Sequence, residues 1–490
     1  MLKRVGWPKV EKMITRELMY ENDKPTTVAY WIKLTLVALA IRLLAAFYVF
    51  LAASQDADAS YYVKQAVRIM TGSDKSTYFL PPGRSYCLIP FFLAFGESET
   101  TCRANAVVFD LAGVLVAAAL AHQMLRRRSA ARMAGWIAAF YPPAVMLCGW
   151  CYSENVTMFA LTCSVCFAVL GLRTVGKNSW WSLAAWFLCG GFLGLTMLTR
   201  PSSFSLAFLA SVGWIGLLAL QRFRPSLAGA AAEVPPRLIL GGGLVFSLAA
   251  LCCMIPAAMH QASLNQGWRV STNNEMNFYL GNNPYTPHYK TWHLGSSYAH
   301  ALRTPGFMAD VASIRNGPNP DGALMRAAVR YIWEHPAIFL LRTVNRIRAF
   351  WGFDHNATAT VRGSLPQWGR TGFALSLAVE AGGYCLTMLL VICGLFLVSG
   401  AMAKNDVGLL IALVLAYQLP YTISFASGLY HFPVMGLLFP FAGLALDRAW
   451  RERGAFWQTI RGRKWLWVAV GVFLLIQIEY ACQVIAYEGA

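Results

Sequence analysis

The chain has 490 residues, of which 57% are hydrophobic and only 13% are charged. An ordinary soluble domain carries about 25% charged residues, so this composition excludes a soluble globular protein. The formal net charge of +18 raises the question of nucleic acid binding. However, the basic residues lie mainly in short links between apolar runs, as in the cytoplasmic loops of membrane proteins, and no nucleic acid partner is expected.

Apolar runs recur along the chain, and a run of about 20 residues is long enough to cross a hydrocarbon core as a helix. The sequence therefore predicts an all-α integral membrane bundle of about eleven transmembrane helices. The positive-inside rule places the N-terminus in the cytoplasm and the C-terminus outside. The expected spans are residues 28–52, 103–124, 133–150, 154–172, 180–199, 202–220, 238–258, 373–399, 407–425, 432–447 and 465–483.

This topology divides the chain into three parts. Residues 1–258 form an N-terminal transmembrane module with a first outer loop at 53–102, residues 259–372 form a large outer region, and residues 373–490 hold the last transmembrane helices. The stretch 337–352 is apolar but carries three arginines, which favours a helix lying in the membrane interface. The cytoplasmic side keeps only short basic links without a phosphate-cradling glycine loop, so any chemistry is expected to face outward.

The first outer loop holds the densest set of candidate site residues. Residues 59–71 read as a helix, and Asp58 and Tyr62, four positions apart, share one face of it. Pro81-Pro82-Gly83 then predicts a turn, and residues 84–95 predict a second apolar helix.

The acidic residue after the first span, followed four residues later by Tyr62, is one of several short motifs with a fixed order. The others are Pro81-Pro82-Gly83, Phe95-Gly96, Tyr141-Pro142-Pro143, Ser153-Glu154, Thr199-Arg200-Pro201 and Gly281-Asn282-Asn283-Pro284. Together they resemble the polyprenyl-phosphate-dependent glycosyltransferases of the GT-C fold, the group that includes bacterial aminoarabinose transferases and protein O-mannosyltransferases (glycosyltransferase family 39). The resemblance implies a polyprenyl-phosphate sugar donor, a glycan, lipid or protein acceptor, and a bacterial inner membrane with the active site on its periplasmic side.

The transfer implied by this resemblance needs a base, because the acceptor hydroxyl loses its proton as its bond to the sugar forms. Asp58 is the first candidate, and Asp56 is the reserve because it lies nearer the membrane. Either aspartate could instead cap the following helix, which is a common role of aspartate. Tyr62 is a candidate for contact with the acceptor or the sugar.

The departing phosphate gathers negative charge, so fixed cations are expected beside it. Arg200 lies at the outer end of a span, against the positive-inside bias, and arginine binds phosphate through two parallel hydrogen bonds. Its alternative role would be to reach lipid headgroups. Arg84, just after the turn, is a second candidate. His431 is a third, because it lies where the related segment usually has an arginine before proline; the alternative is a packed histidine.

Glu154 and Asn282 complete the expected site. Glu154 begins the fourth span from the outside and could hold the acceptor, pair with Arg200 or bind a metal. Asn282 is expected on the acceptor or sugar side. No cofactor is assigned, and a divalent metal is left open. The outer histidines do not have the spacing of a helical zinc pair: His288, His293 and His300.

Other functions stay open at the level of sequence. A lipid or solute transporter or flippase would show related halves and ionisable residues near the bilayer midplane, and neither an internal repeat nor a central charge is evident. A ligase or polymerase of lipid-linked glycans would share the donor but would not predict the Asp-x-x-x-Tyr helix. Cys148 and Cys151 have the spacing of a redox pair, but no thioredoxin-like strand pattern surrounds them.

Overall fold

The computed structural model describes residues 27–51, 53, 57–73, 75–175, 179–223, 234–288, 304–316 and 320–488. The regular elements of these ranges are all helical. In chain order the α-helices are α1 (Val28–Leu44), α2 (Ala57–Met70), α3 (Gly83–Phe95), α4 (Glu99–Met124), α5 (Arg128–Phe140), α6 (Pro142–Leu147), α7 (Ser153–Thr174), α8 (Ser179–Thr199), α9 (Phe204–Phe223), α10 (Pro236–Ser263), α11 (Asn274–Gly281), α12 (Phe307–Arg315), α13 (Pro320–Glu334), α14 (Pro336–Phe350), α15 (Asn356–Ser364), α16 (Gly369–Leu397), α17 (Lys404–Ile423), α18 (Met435–Arg461) and α19 (Lys464–Glu488).

Within the described ranges, ten helical segments are long and apolar enough to cross a membrane. Their outward faces carry large apolar side chains such as Phe208 and Leu475, which are 72% and 68% exposed. Such faces would aggregate in water, whereas a helix satisfies its own backbone hydrogen bonds in hydrocarbon. The expected all-α integral membrane fold is confirmed, and the chain is a multi-pass membrane protein.

The predicted span 133–150 is not one continuous helix. Residues Arg128–Phe140 and Pro142–Leu147 form two helices, α5 and α6, separated by Tyr141 in an extended conformation (φ −63°, ψ 107°). The ring of a proline clashes with the helical conformation of the residue before it, and proline has no N–H to donate to the preceding turn. Pro142 therefore ends α5, which explains the difference from the expectation.

A nearly enclosed helix runs through the middle of the bundle. The segment Gly428–Arg461, which includes α18, is buried over 89% of its most apolar stretch, whereas Pro201–Phe223 is buried over only 11%. Small residues allow this central helix to approach its neighbours: a Cβ on Gly443 would lie 2.5 Å from the carbonyl oxygen of Ala130 in α5. Close backbone approach through small residues is the usual packing mode of membrane helices.

Two charged side chains pair inside the bundle. Arg42 in α1 and Asp110 in α4 form an ion pair with no exposed surface on either side chain. Arg42 also donates to the carbonyl oxygens of Ala38 and Ala139, at 3.1 and 2.9 Å. This buried pair was not singled out from the sequence. Because both side chains are fully buried and hydrogen-bonded, the pair holds α1 against α4 and α5.

Helices α11 to α15 lie within residues 259–372, the segment for which the sequence predicts a large outer region. Helix α14 was predicted at the interface on account of its arginines, but Arg342 and Arg346 are fully buried. Arg342 donates to the carbonyl oxygen of Asn283 at 3.0 Å, and Arg346 donates to that of Ile423 at 3.1 Å. These two guanidinium groups face protein instead of headgroups and tie the outer region to the end of α17.

Candidate functional site

The candidate base, Asp58, lies on α2, which is an amphipathic helix. Asp58 lies in its first turn and is exposed, while Tyr62, one turn later, is only 5% exposed. The apolar face of α2 packs on α3, where Ser85 Oγ donates to the carbonyl oxygen of Tyr62 at 2.9 Å. The structure therefore fixes the backbone of α2 and leaves Asp58 on its open face. Asp56 lies outside the described residues.

The Pro-Pro-Gly turn brings α3 against the C-terminal end of α8. A Cβ on Gly83 would lie 2.6 Å from the carbonyl carbon of Leu198 and 2.7 Å from the backbone nitrogen of Thr199. Real Cβ contacts of this length essentially do not occur, so only glycine allows the two backbones to come this close. Since Arg200 follows directly, the turn places the first outer loop beside this arginine.

Arg200 is held by one carboxylate and a group of tyrosines. Its Nη2 forms an ion pair with Glu154 Oε1, the side chains being 19% and 1% exposed. The guanidinium carbon lies 5.0 Å from the centre of the Tyr430 ring, which is a cation–π arrangement. Ser202, two residues after Arg200, donates to the hydroxyl of Tyr421 at 2.6 Å. The Nε of Arg200 is buried and has no hydrogen-bond partner.

Tyr62 interacts with Asp58, Arg200 and Ser153. Burial, with a further contribution from the negative charge of Asp58, raises the pKa of the Tyr62 hydroxyl to about 12, against the positive charge of Arg200. Ser153 also lowers the pKa of this hydroxyl, and Ser153 Oγ donates to Glu154 Oε2 at 3.1 Å. A polar path thus joins Tyr62 to the ion pair of Glu154 and Arg200. Of the three expectations for Glu154, the pairing with Arg200 is the one that the geometry shows.

Asp58 is also within electrostatic range of Tyr430, the ring that covers Arg200. Tyr430 belongs to the C-terminal third of the chain, and sequence reasoning missed it although it is the immediate neighbour of His431. Tyr417 and Tyr421, one turn apart in α17, interact with Arg200 as well. Their spacing of four was the available sequence signal, because residues at i and i+4 share a helix face.

Arg84 is close enough to Tyr62 to interact with it electrostatically, but its own side chain is packed inside the protein. The residue is fully buried, and its Nε donates to the carbonyl oxygen of Cys151 at 3.3 Å. A second hydrogen bond joins its Nη1 to Asn105 Oδ1, while its Nη2 has no partner. These contacts hold α3, α4 and the start of α7 together.

His431 and Asn282 are both engaged elsewhere. His431 is 2% exposed, its Nδ1 lies 2.8 Å from the carbonyl oxygen of Phe350, and its ring stacks on Tyr384 at 4.4 Å. Asn282 Nδ2 donates to the carbonyl oxygen of Ile423 at 3.0 Å, and its Oδ1 accepts a hydrogen bond from Arg346. Their contacts are those of packed structural residues, so neither enters the proposal below.

Two further carboxylates, Asp354 and Glu380, lie against the start of α15. Neither was singled out from the sequence. Glu380 accepts hydrogen bonds from the backbone nitrogen and the hydroxyl of Thr358, at 2.9 and 2.6 Å, and Asp354 accepts one from the nitrogen of Asn356. Burial raises the pKa of the Asp354 carboxyl above its usual range. A carboxylate at a helix N-terminus is stabilised there by the unpaired N–H groups.

Within the described ranges, no group of three or more His, Cys, Asp or Glu side chains is arranged to hold a metal ion. Of the outer histidines, His293 and His300 lie outside those ranges. The candidate site combines one exposed carboxylate, one ion-paired guanidinium and several tyrosine hydroxyls.

No protein-family model matches the chain, and no curated protein matches it at a significant level. Solved structures of similar fold include an oligosaccharyltransferase of Archaeoglobus fulgidus. The AglB structure in complex with an inhibitory peptide and a dolichol-phosphate is 11% identical, with a TM-score of 0.43, over 92% of this chain and 55% of that one. The structure of the apo form is 12% identical, with a TM-score of 0.48, over 93% and 54%. The chain thus spans about half the length of the archaeal enzyme.

ArnT from Cupriavidus metallidurans, in a structure bound to undecaprenyl phosphate, is 15% identical with a TM-score of 0.37 over 86% of this chain and 78% of that one. At TM-scores of 0.37 to 0.48 the likeness does not assign an activity.

Proposed function

We propose that the chain is an inverting glycosyltransferase that moves a hexose or pentose from a polyprenyl-phosphate donor to an acceptor hydroxyl. The observation that supports the proposal is that Asp58 and Arg200, which are remote in sequence, both act electrostatically on the same two side chains, Tyr62 and Tyr430. The exposed carboxylate of Asp58 and the mostly buried guanidinium of Arg200 supply the two charges that such a transfer needs.

The reaction needs one proton transfer and one charge to be stabilised. The acceptor oxygen forms a bond to C1 of the sugar from the face opposite the phosphate, its proton passes to the Asp58 carboxylate, and the bond between C1 and the phosphate oxygen breaks. The polyprenyl phosphate leaves with the bonding electrons. A positioned base contributes about 10²–10⁴ in rate to such a step.

Arg200 is the group proposed to receive the leaving phosphate. Its Nη2 is occupied by Glu154, but 19% of the side chain remains exposed, and a guanidinium offers five donors in a fixed plane. Glu154 and the Tyr430 ring hold the guanidinium in place beforehand, so that little reorganisation is needed as charge develops. Tyr62, next to Asp58, is proposed to contact the acceptor.

The proposed site faces the non-cytoplasmic side of a bacterial inner membrane. The support is the distribution of basic links: Arg126, Arg127 and Arg128 between α4 and α5, and Arg461 and Arg463 between α18 and α19, lie at the opposite helix ends from Asp58 and Arg200. Nucleotide-activated sugars are cytoplasmic, so a lipid-linked donor is the consistent choice. The acceptor is a glycan, a lipid or a protein.

The test compares Asp58→Asn with wild type on a panel of polyprenyl-phosphate sugars, with membrane extracts as the source of acceptor. Asp58→Asn keeps the size of the side chain and removes the base, so donor turnover is expected to fall about 10²–10⁴-fold. Lys64→Gln is the matched control, because Lys64 is an exposed charge on the same helix; its turnover is expected to equal that of wild type.

Unchanged turnover in Asp58→Asn would remove the assigned base. If the wild-type protein turned over none of the donors, the transferase proposal would fail and transport of a lipid or solute would become the better explanation.

A further inference from the structure

The thiols of Cys102 and Cys151 come from different parts of the chain and lie in the apolar cluster that contains Tyr62, next to the candidate site. Cys102 lies in the first turn of α4, and Cys151 lies two residues before α7. Cys151 Sγ donates to the carbonyl oxygen of Cys102 at 3.4 Å, and the two thiols are close enough to shift each other's pKa. Both residues are at most 2% exposed.

The partner of Cys151 is not the cysteine that the sequence spacing suggested. Cys148 is fully buried, its Sγ donates to the carbonyl oxygen of Ala144 at 3.4 Å, and it faces Asp110 instead of Cys151. Residues 148–150 form a turn after α6 that separates the two side chains of the Cys-x-x-Cys motif. The motif is therefore divided, and each of its members has a different neighbour.

The surroundings of Cys151 favour its thiolate. Burial alone would raise the pKa of the Cys151 thiol, but the hydrogen bond with Cys102 and the positive charges of Arg84 and Arg103 outweigh burial and lower it. The thiolate is the form that attacks a disulfide.

We infer that Cys102 and Cys151 form a structural disulfide bond at the outer ends of α4 and α7. The two thiols lose two protons and two electrons as the Sγ–Sγ bond forms, and a protein or small-molecule disulfide is reduced to two thiols in exchange. Disulfides of this kind persist on the non-cytoplasmic side of membranes. The inference uses the proposed orientation of the chain but not the proposed reaction.

Such a bond would fix one wall of the site. It closes the loop over residues 102–151, which contains α5 and α6, and it anchors the carbonyl oxygen of Cys151 that accepts from Arg84. Ser153 and Glu154 follow two and three residues later. The position of the carboxylate that holds Arg200 would thus be tied covalently to the start of α4.

The test traps the thiols of the full-length protein with N-ethylmaleimide in denaturant directly on isolation from membranes, without reductant, and maps the peptides by mass spectrometry. The expected result is a Cys102–Cys151 linked peptide in most of the molecules, which disappears on reduction. Cys148→Ser is the matched control and should keep the link, whereas Cys102→Ser should lose it and show Cys151 modified by maleimide.

A second readout begins with the wild type, so its first result does not depend on the variants being stable. Reduction of wild type and of Cys148→Ser should lower the midpoint of thermal unfolding, and Cys102→Ser should show no such change. Complete maleimide labelling of Cys102 and Cys151 in wild type, or a link from Cys151 to Cys148, would overturn the inference.

Discussion

The ion pair between Arg200 and Glu154 gives the most quantitative prediction. The Glu154 side chain is 1% exposed and that of Arg200 is 19% exposed. Arg200→Met leaves a buried carboxylate without its partner, which costs about 3–5 kcal/mol of the free energy of unfolding. Glu154→Gln leaves a guanidinium that keeps some contact with solvent and with the Tyr430 ring, so its cost is smaller, about 2 kcal/mol. The asymmetry follows from the difference in burial.

The double variant Arg200→Met/Glu154→Gln leaves neither charge unpaired. Its cost should be about 2 kcal/mol less than the sum of the single costs, which is a usual coupling for residues in contact. Denaturant titration in mixed detergent micelles, followed by tryptophan fluorescence, measures the free energy of unfolding of all three variants. Glu452→Gln is the control, because Glu452 is 34% exposed and its pair with Arg127, at 3.7 Å, should contribute at most about 1 kcal/mol. Additive costs, or an effect of Glu154→Gln no larger than that of Glu452→Gln, would refute the reasoning.

Three further predictions test the surroundings of the site. Gly83→Ala should destabilise the protein by about 1–3 kcal/mol through backbone overlap, whereas Gly191→Ala, where a Cβ would meet open space, should be neutral or stabilising in the same titration. Tyr430→Ala should raise the donor KM about tenfold through the lost cation–π contact, and an unchanged KM would exclude that role. Because burial raises the pKa of Asp354, its proton is held in the folded state above the unfolded-state pKa of about 3.9. Stability should therefore fall as pH rises from about 4 through the folded-state value, and Asp354→Asn should lessen that fall in unfolding midpoints.

The length and composition of the apolar runs were sufficient to predict the membrane-spanning helices, because a helix must satisfy its own backbone in hydrocarbon whatever its neighbours are. The Pro142-Pro143 pair was also readable, since the break at Tyr141 has a local cause. By contrast, the burial of Arg342 and Arg346 could not be read from α14 itself. It depends on carbonyl oxygens at Asn283 and Ile423, which other segments supply.

In the candidate site, too, some residues could be predicted from local sequence and others could not. Asp58 and Tyr62 share a face by local spacing, and Arg200 stood out by its position against the charge bias of the loops. The tyrosines that surround Arg200 did not stand out, because their approach depends on how the helices of the C-terminal third are rotated about their axes. No local pattern specifies that rotation, and so Tyr430 was passed over in favour of His431.

The buried pair of Arg42 and Asp110 bears on how the chain is inserted during synthesis. A lone charge at the centre of an apolar helix opposes partition from the translocon into lipid by about 2.5–3.5 kcal/mol. Arg42, in the last turn of α1, and Asp110, midway along α4, are both fully buried and pair with each other. The first span is therefore expected to stay beside the translocon until the second has been made, so that these two charges are paired when the spans enter the lipid.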